Sequence, residues 1–277
     1  MKVLVLGGKG MAGHMVVDYL IRSTDYEVEY THRNSEEQNG IYLNASNFKA
    51  MDQVISCFKP NVIVNCIGIL NEKASEKRME AIIVNSFLPH YLSQKLSETG
   101  GKLIHISTDC VFSGKDGNYT ENSTTDGNTI YAKTKALGEV TGKPHLTIRT
   151  SIIGPELKNG IGLFHWFMKQ SGQVNGFVNV LWNGVTTLEL AKIIHKVIEE
   201  DVYGLYHLTA AEIISKHNLL SKIKEAFSKE EITIHPVDVP VCDRTLENTR
   251  DDVRFVTPQY DEMLVELRDW INENEWR

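Results

Sequence analysis

Two tyrosines in this chain carry a lysine four residues on, Tyr131–Lys135 and Tyr91–Lys95. On a helix that spacing puts both side chains on one face. An ammonium beside a phenol favours the phenolate and lowers the phenol pKa, which makes it a usable acid near neutrality. Because the pattern occurs twice, spacing alone does not choose between the pairs. Position does. Tyr91 lies inside a long amphipathic stretch, 79–96, ahead of the apolar run 103–106, whereas Tyr131 opens the helical segment YAKTKALGE after the loop that follows that run. In an open parallel sheet, ligands bind beyond the carboxyl ends of the strands, and Tyr131 issues from that end. The run closes on Ile106-Ser107-Thr108-Asp109. A hydroxyl at Thr108 can donate to a carbonyl oxygen as hydride arrives. The chemistry expected of Thr108, Tyr131 and Lys135 is acid-assisted reduction of a carbonyl.

A hydride donor is implied by the N-terminus, KVLVLGGKGMAGH, where Gly7, Gly10 and Gly13 form G-x-x-G-x-x-G between a strand and a helix. The first glycine permits the turn, the second lets backbone approach a pyrophosphate at the helix N-terminus, and the third allows close helix–sheet packing. The residue that reads the adenosine ribose falls about 20 positions on, in Tyr30-Thr31-His32-Arg33. No acid stands there to hold a free 2′-hydroxyl, and Arg33 can pair with a 2′-phosphate. The expected cofactor is therefore NADP(H) in preference to NAD(H). Met11 and Asn44 are counted with Gly7, Gly10, Gly13 and Arg33 as cofactor-binding residues, as is Tyr131, and Lys135 is placed to hold the nicotinamide ribose as well.

The elements that must position these residues alternate. Short apolar runs at 3–6, 28–30, 62–67, 103–106 and 146–148 are separated by amphipathic stretches at 11–21, 48–58, 79–96 and 131–140. Alternation of this kind predicts a parallel sheet covered by helices, and KVLVL and NVIVNCI have the continuous apolar character of strands buried on both faces. The fold class is α/β, a Rossmann-type doubly wound parallel sheet over 1–150 with a smaller C-terminal substrate-binding lobe over 151–277 that shares strands or helices with it. In that lobe the pattern predicts helices at 164–168, 188–198, 213–227 and 260–271, and strands at 174–181 and 204–208.

Composition narrows the function class. Lys and Arg total 29 against 36 Asp and Glu, a net charge of −7, so the chain has no general attraction to polyphosphate and nucleic acid is not an expected partner. Cys57, Cys66, Cys110 and Cys242 are scattered, with no C-x-x-C pair; no metal site is expected, and a reduced, cytoplasmic setting fits. The apolar run at the N-terminus is too short for a secretory signal, and no stretch approaches the roughly 20 apolar residues of a membrane span.

The turn GGKGMAGH, the segment STDCVFSGKDGNYTE, the helix YAKTKALGE and the strand-and-turn IRTSIIG together resemble extended short-chain dehydrogenases/reductases, and within them the dTDP-4-dehydrorhamnose reductase group. The likeness runs in order from Met1 to about Gly154 and continues more loosely through WNGVTTLELAKII and RTLENTRDD. It implies NAD(P)H-dependent reduction of the C4 ketone of a nucleotide-linked 4-keto-6-deoxyhexose, in polysaccharide or deoxysugar biosynthesis, with Thr108, Tyr131 and Lys135 as the catalytic triad and a homodimer as an assembly the group allows. Asn85, in VNSFLP, matches a position near the cofactor, and Cys66, Ile67 and Gly68 match the third-strand turn beneath it. Val111 and Phe112 match a stretch beside the sugar. Cys110, Trp182, Asn183 and Arg244 join them as substrate-binding candidates, Arg244 by charge complementarity to a diphosphate.

The chain departs from the group in three places. Cys110 stands where the group usually has Tyr, Met15 replaces an acid that contributes to a Mg²⁺-bridged dimer in some members, and WNGVTT replaces D-Q-x-G-x-P-T. A UDP-linked N-acetylamino 4-keto-6-deoxysugar reductase is therefore an alternative. So is a non-catalytic dinucleotide-binding regulatory subunit of the same fold. A 4,6-dehydratase would place Glu in the slot of Cys110, and epimerases commonly run longer with Ser near the catalytic hydroxyl.

Overall fold

The computed structural model describes residues 1–157, 160–253 and 255–274. In chain order its elements begin β1 (Lys2–Leu6), α1 (Met11–Ser23), β2 (Glu27–His32), β3 (Ile41–Tyr42), α2 (Phe48–Phe58), β4 (Val62–Asn65), α3 (Asn71–Glu76) and α4 (Arg78–Ala81). A π-helical segment, Ile82–Phe87, leads into α5 (Leu88–Thr99), β5 (Lys102–Ile106), a 3-10 turn at Asp109–Val111, α6 (Ile130–Leu137) and β6 (Leu146–Arg149). The remainder runs β7 (Ile152–Ile153), α7 (Leu163–Met168), β8 (Gly172–Phe177), β9 (Val180–Trp182), β10 (Val185–Thr186), α8 (Thr187–Glu199) and β11 (Gly204–His207). It closes with β12 (Ile214–Ser215), α9 (Lys216–Ala226), β13 (Ile232–Val237), β14 (Cys242–Asp243) and α10 (Tyr260–Glu273).

The described residues divide into two compact units that interleave along the chain. The first comprises Met1–Ser113, Thr124–Arg149 and Ala191–Tyr206, and the second Gly114–Ser123, Thr150–Leu190 and His207–Arg277.

Among the described residues, a seven-stranded sheet in the order β11-β6-β5-β4-β1-β2-β3 forms the frame of the first unit. The pairs β1–β2, β1–β4, β4–β5 and β5–β6 are parallel. This is the doubly wound arrangement expected for the fold class. Strand order reverses beside β1, and that reversal opens a crevice at the carboxyl ends of the strands. β1 and β4 are buried almost throughout, as strands covered on both faces must be. Leu4, Leu6, Ile63 and Leu103 of the sheet pack with Met51, Leu88, Leu92 and Leu96 of the helices, and Tyr131 belongs to the same cluster.

The expected helix at 79–96 is interrupted by its π turn, whose widened backbone carries Asn85 inward, fully buried.

The second unit holds small sheets. β8 and β13 pair in parallel over six positions, from Ile232↔Gly172 to Val237↔Phe177. β9 lies between β12 and β14. The single strand expected at 174–181 is therefore two, because the chain changes partners between Phe177 and Val180. The helix expected from 213 begins instead at Lys216, where the Ser215 hydroxyl caps it by accepting from the Asn218 N–H at 3.1 Å. Residues 114–123 are tied within this unit. The Tyr119 hydroxyl accepts from the backbone N–H groups of Gly114, Lys115 and Asp116 at 3.1–3.2 Å, and the Glu121 carboxylate accepts from those of His207 and Thr249, each at 3.0 Å.

Candidate active site

The glycine turn sits at the carboxyl end of β1. Gly7 has φ +81, in the left-handed region that glycine alone enters without strain. Its N–H donates to the Thr31 hydroxyl at 3.2 Å, and the Gly8 N–H donates to the Thr31 carbonyl at 2.9 Å, which ties the turn to the end of β2. A Cβ at Gly13 would collide with the Gly7 carbonyl oxygen, so the third glycine is demanded by the approach of α1 to the turn. α1 opens at Met11 with Gly10 as its N-cap, no side chain capping it and no acid in its first turn. Its first N–H groups are thus left for a ligand, and the helix dipole favours an anion there.

Arg33, just past β2, is largely exposed and stands 3.9 Å from Glu80. Asn44 is exposed, and its side chain accepts from the Ser46 N–H at 3.1 Å, closing a local turn.

Beyond β4, Cys66 and Ile67 are anchored by their backbones. Cys66 N–H donates to the Leu6 carbonyl at 3.1 Å, and Ile67 N–H to Asn65 Oδ1 at 3.2 Å. Burial pushes the Cys66 thiol up to about 12, against the opposing influence of Lys135, so it is an inert thiol at neutral pH. Gly68 lies beside Asn85, where a Cβ would stand 3.8 Å from Asn85 Oδ1. Asn85 uses its whole amide inside the protein: it accepts from the Ile69 N–H at 2.8 Å and donates to the Ile69 carbonyl at 2.9 Å and the Thr134 hydroxyl at 3.1 Å. It clamps the loop after β4 to α6.

Thr108 follows β5 and caps the 3-10 turn, its hydroxyl accepting from the Cys110 N–H at 3.1 Å and donating to Asp109 at 3.0 Å. The Thr129 hydroxyl caps α6, accepting from the Ala132 N–H at 3.0 Å, and this start sets Tyr131, Thr134 and Lys135 on the buried side. Of the groups around the Tyr131 phenol, the Thr108 hydroxyl is close enough to act on it. The Tyr131 phenol is raised above its ordinary value, first by burial, then by Cys110; Thr108 opposes and Asp109 adds to the rise. The sequence-based expectation that Lys135 lowers this phenol is thus corrected. The Lys135 Nζ donates instead to the Ile106 carbonyl at 2.6 Å and lies 3.2 Å from His105 Nε2. Burial lowers Lys135 to about 8, with Glu139 and Cys66 pulling the other way.

Three supporting residues escaped the sequence reading. Arg149, ending β6, makes a paired contact with Glu139, Nε–Oε1 and Nη2–Oε2 both at 2.7 Å, with both side chains under a tenth exposed. Ser107 donates to Glu139 at 2.8 Å, and the Arg149 guanidinium lies 5.1 Å from the centre of the Phe112 ring. This cluster joins the ends of β5, α6 and β6 directly behind Thr108. Its sequence signal was the run of polar residues closing apolar strands. Val111 and Phe112 are fully buried and serve as walls, while Cys110 is half-buried.

The competing pair has another role. The Tyr91 hydroxyl donates to Asp52 in a short hydrogen bond, and Lys95 stands 3.4 Å from the same carboxylate. Burial, then that hydrogen bond, pushes the Tyr91 phenol up to about 12.

In the second unit, Trp182 is buried and stacks on Tyr260 with ring centres 5.6 Å apart. Asn183 is a backbone clamp, donating to the Leu246 carbonyl at 2.7 Å and accepting from its N–H at 3.0 Å. Arg244 lines a cavity of about 720 Å³ with Lys216, Trp166 and Phe177. No helix of the described residues is long and apolar enough to cross a membrane.

Comparison with known proteins bears on the family and the fold. The family model described as RmlD substrate binding domain matches residues 1–270. The chain is 27% identical over 227 residues to a dTDP-4-dehydrorhamnose reductase of Aggregatibacter actinomycetemcomitans, covering 77% of this chain and 75% of that one. It is 24% identical over 242 residues to the methionine adenosyltransferase 2 subunit beta of Danio rerio, covering 82% and 74%. Among solved structures, a dTDP-4-dehydrorhamnose reductase from Bacillus anthracis str. Ames in complex with NADP superposes with a TM-score of 0.84 at 20% identity, covering 97% of this chain and 99% of that one. At that identity the likeness is one of fold.

Proposed function

The chain belongs to the RmlD substrate binding domain family, and on that premise we propose that it is an NADPH-dependent reductase of the C4 ketone of a nucleotide-linked 4-keto-6-deoxyhexose. The observation that carries the reading is the placing of Thr108 just past the carboxyl end of β5 and of Tyr131 and Lys135 on the buried side of α6, at the edge of the sheet that also presents the glycine turn.

The first unit fits a dinucleotide. The glycine turn leaves backbone where a Cβ would intrude, and α1 offers uncapped N–H groups to a pyrophosphate. Arg33 is free enough in solvent to meet a 2′-phosphate, which favours NADPH over NADH. When bound, the dinucleotide supplies the hydride. Tyr131 holds the proton that the ketone oxygen needs, and its raised pKa keeps that proton in place until a developing alkoxide takes it. Thr108 orients the phenol and can donate to the same oxygen. Lys135 holds the ribose side. Arg244, Lys216 and the aromatic rings of the second unit's cavity suit a nucleoside diphosphate.

Cys110 favours a second reading of the substrate, a UDP-linked N-acetylamino 4-keto-6-deoxysugar, because a thiol is smaller than the tyrosine usual in that slot. The intact Thr108, Tyr131 and Lys135 speak against the regulatory-subunit alternative. The test is oxidation of NADPH, followed by absorbance, with dTDP- and UDP-linked 4-keto-6-deoxysugars in turn. The expected result is turnover with at least one of them, lost by about a hundredfold or more in Tyr131→Phe with NADPH binding retained. No oxidation with any such sugar, or wild-type turnover in Tyr131→Phe, overturns the reading.

A further inference from the structure

Beneath Lys135 lies a chain of buried polar groups that the proposed reaction does not use. β4 and β5 are in register with Asn65 opposite His105, and both side chains are wholly buried. Asn65 Oδ1 accepts from the Ile67 N–H at 3.2 Å, which fixes the orientation of the amide, and Asn65 Nδ2 faces His105 Nδ1 at 3.1 Å. His105 Nε2 then faces Lys135 Nζ at 3.2 Å.

The amide decides the tautomer. Asn65 Nδ2 can only donate, so His105 Nδ1 must be the lone pair that accepts. The proton of a neutral imidazole is then on Nε2, aimed at Lys135. An ammonium has no lone pair to receive it, whereas an amine does. Protonating Lys135 forces one of these hydrogen bonds to break: either Nε2–H meets N⁺–H, or the imidazole proton moves to Nδ1 and opposes Asn65 Nδ2. The imidazolium form would oppose donors at both ends.

We infer that Asn65 and His105 act as a tautomer lock, positioning an N–H against Lys135 and so favouring its neutral amine in the ligand-free protein. Of the ionisable groups around Lys135, Glu139 and Cys66 favour its charged form, and burial outweighs them. Cys66, just past β4, remains a thiol. Glu139 past α6 is matched by Arg149 of β6, and Asp109 and Cys110 of the 3-10 turn bear on Tyr131 rather than on the lysine. His105 is held well below the usual histidine range first of all by burial, so it stays neutral. Lys135, lowered by burial to about 8, is pushed further by the lock. A negative charge arriving beside it favours the ammonium again. The inference concerns the free protein and stands or falls independently of the substrate.

The test is NMR of the ligand-free protein with ¹⁵N-labelled histidine and ¹³Cε-labelled lysine, His105→Gln and Lys135→Arg serving to assign the signals. The expected His105 signature is a neutral ring protonated on Nε2 that does not titrate between about pH 6 and about pH 9. In Asn65→Ala the ring is released to offer a lone pair, and the Lys135 pKa is expected to rise by about one unit. A ring protonated on Nδ1 or on both nitrogens in the wild type overturns the inference, as does an unchanged Lys135 pKa in Asn65→Ala. If that variant does not fold, the wild-type tautomer decides.

Discussion

Replacing Glu139 with Gln tests whether the cluster behind Thr108 holds the site together. The change keeps the shape of the side chain and removes its charge. Arg149, 4% exposed, then keeps a buried guanidinium whose paired contact with position 139 has lost its negative charge, and the Ser107 hydroxyl loses a charged acceptor. Removing one partner of such a pair costs about 3–5 kcal/mol, because the other charge stays buried. For a chain of this length each kcal/mol moves Tm by roughly 2–4 °C, so a fall of about 6 °C or more is expected in thermal unfolding of the first unit. The double variant Glu139→Gln/Arg149→Met, which leaves no orphaned charge, is expected to recover a substantial part of that loss. A second readout separates stability from chemistry. Glu139 favours the charged form of Lys135, so the Glu139→Gln change lowers the Lys135 pKa further below about 8. Any pH limb that depends on the lysine ammonium moves to lower pH, since the proton is lost earlier as pH rises. A Tm within about 2 °C of wild type, together with an unmoved limb, would refute the assignment of a supporting role to this cluster.

Two further outcomes are expected. Arg33→Ala should raise KM for NADPH about tenfold or more, the scale of one charge-assisted contact, and leave KM for NADH within about twofold; equal effects on the two cofactors would remove Arg33 from 2′-phosphate recognition. Tyr91→Phe should keep steady-state turnover within about twofold while lowering Tm by a few degrees, because its hydroxyl serves Asp52; a loss comparable to that of Tyr131→Phe would make the two pairs chemically equivalent after all.

The first half of the chain was legible because its strands are buried on both faces. KVLVL and VIVN announce themselves as continuous apolar runs, and the glycine turn follows from backbone geometry that only glycine satisfies. Thr108, Tyr131 and Lys135 could be placed from their order along that frame. What remained hidden was decided by pairing over distance. Nothing local marks the point between Phe177 and Val180 where the chain leaves β13 for β12 and β14. Asn65, His105 and Arg149 looked like strand residues, and only the register that sets Asn65 opposite His105 shows that they serve Lys135. The phenol was misjudged for the same reason: a four-residue spacing states that two side chains share a helix face, not that their tips meet. Lys135 turns to the Ile106 carbonyl, and burial rather than the lysine sets the Tyr131 phenol.

The interleaving of the two units bears on how the protein is made. β6 is already synthesised when the stretch Thr150–Leu190, which belongs to the other unit, begins to emerge, and β11, its neighbour in the sheet, comes only afterwards. At synthesis rates of about 5–20 residues per second, the outer edge of β6 stays open for several seconds on every ribosome. An unpaired edge is a template for another chain. A nascent chain stalled before Gly204 therefore keeps that edge open, and a single cut cannot release the first unit as a complete folding domain, since Ala191–Tyr206 would be left behind.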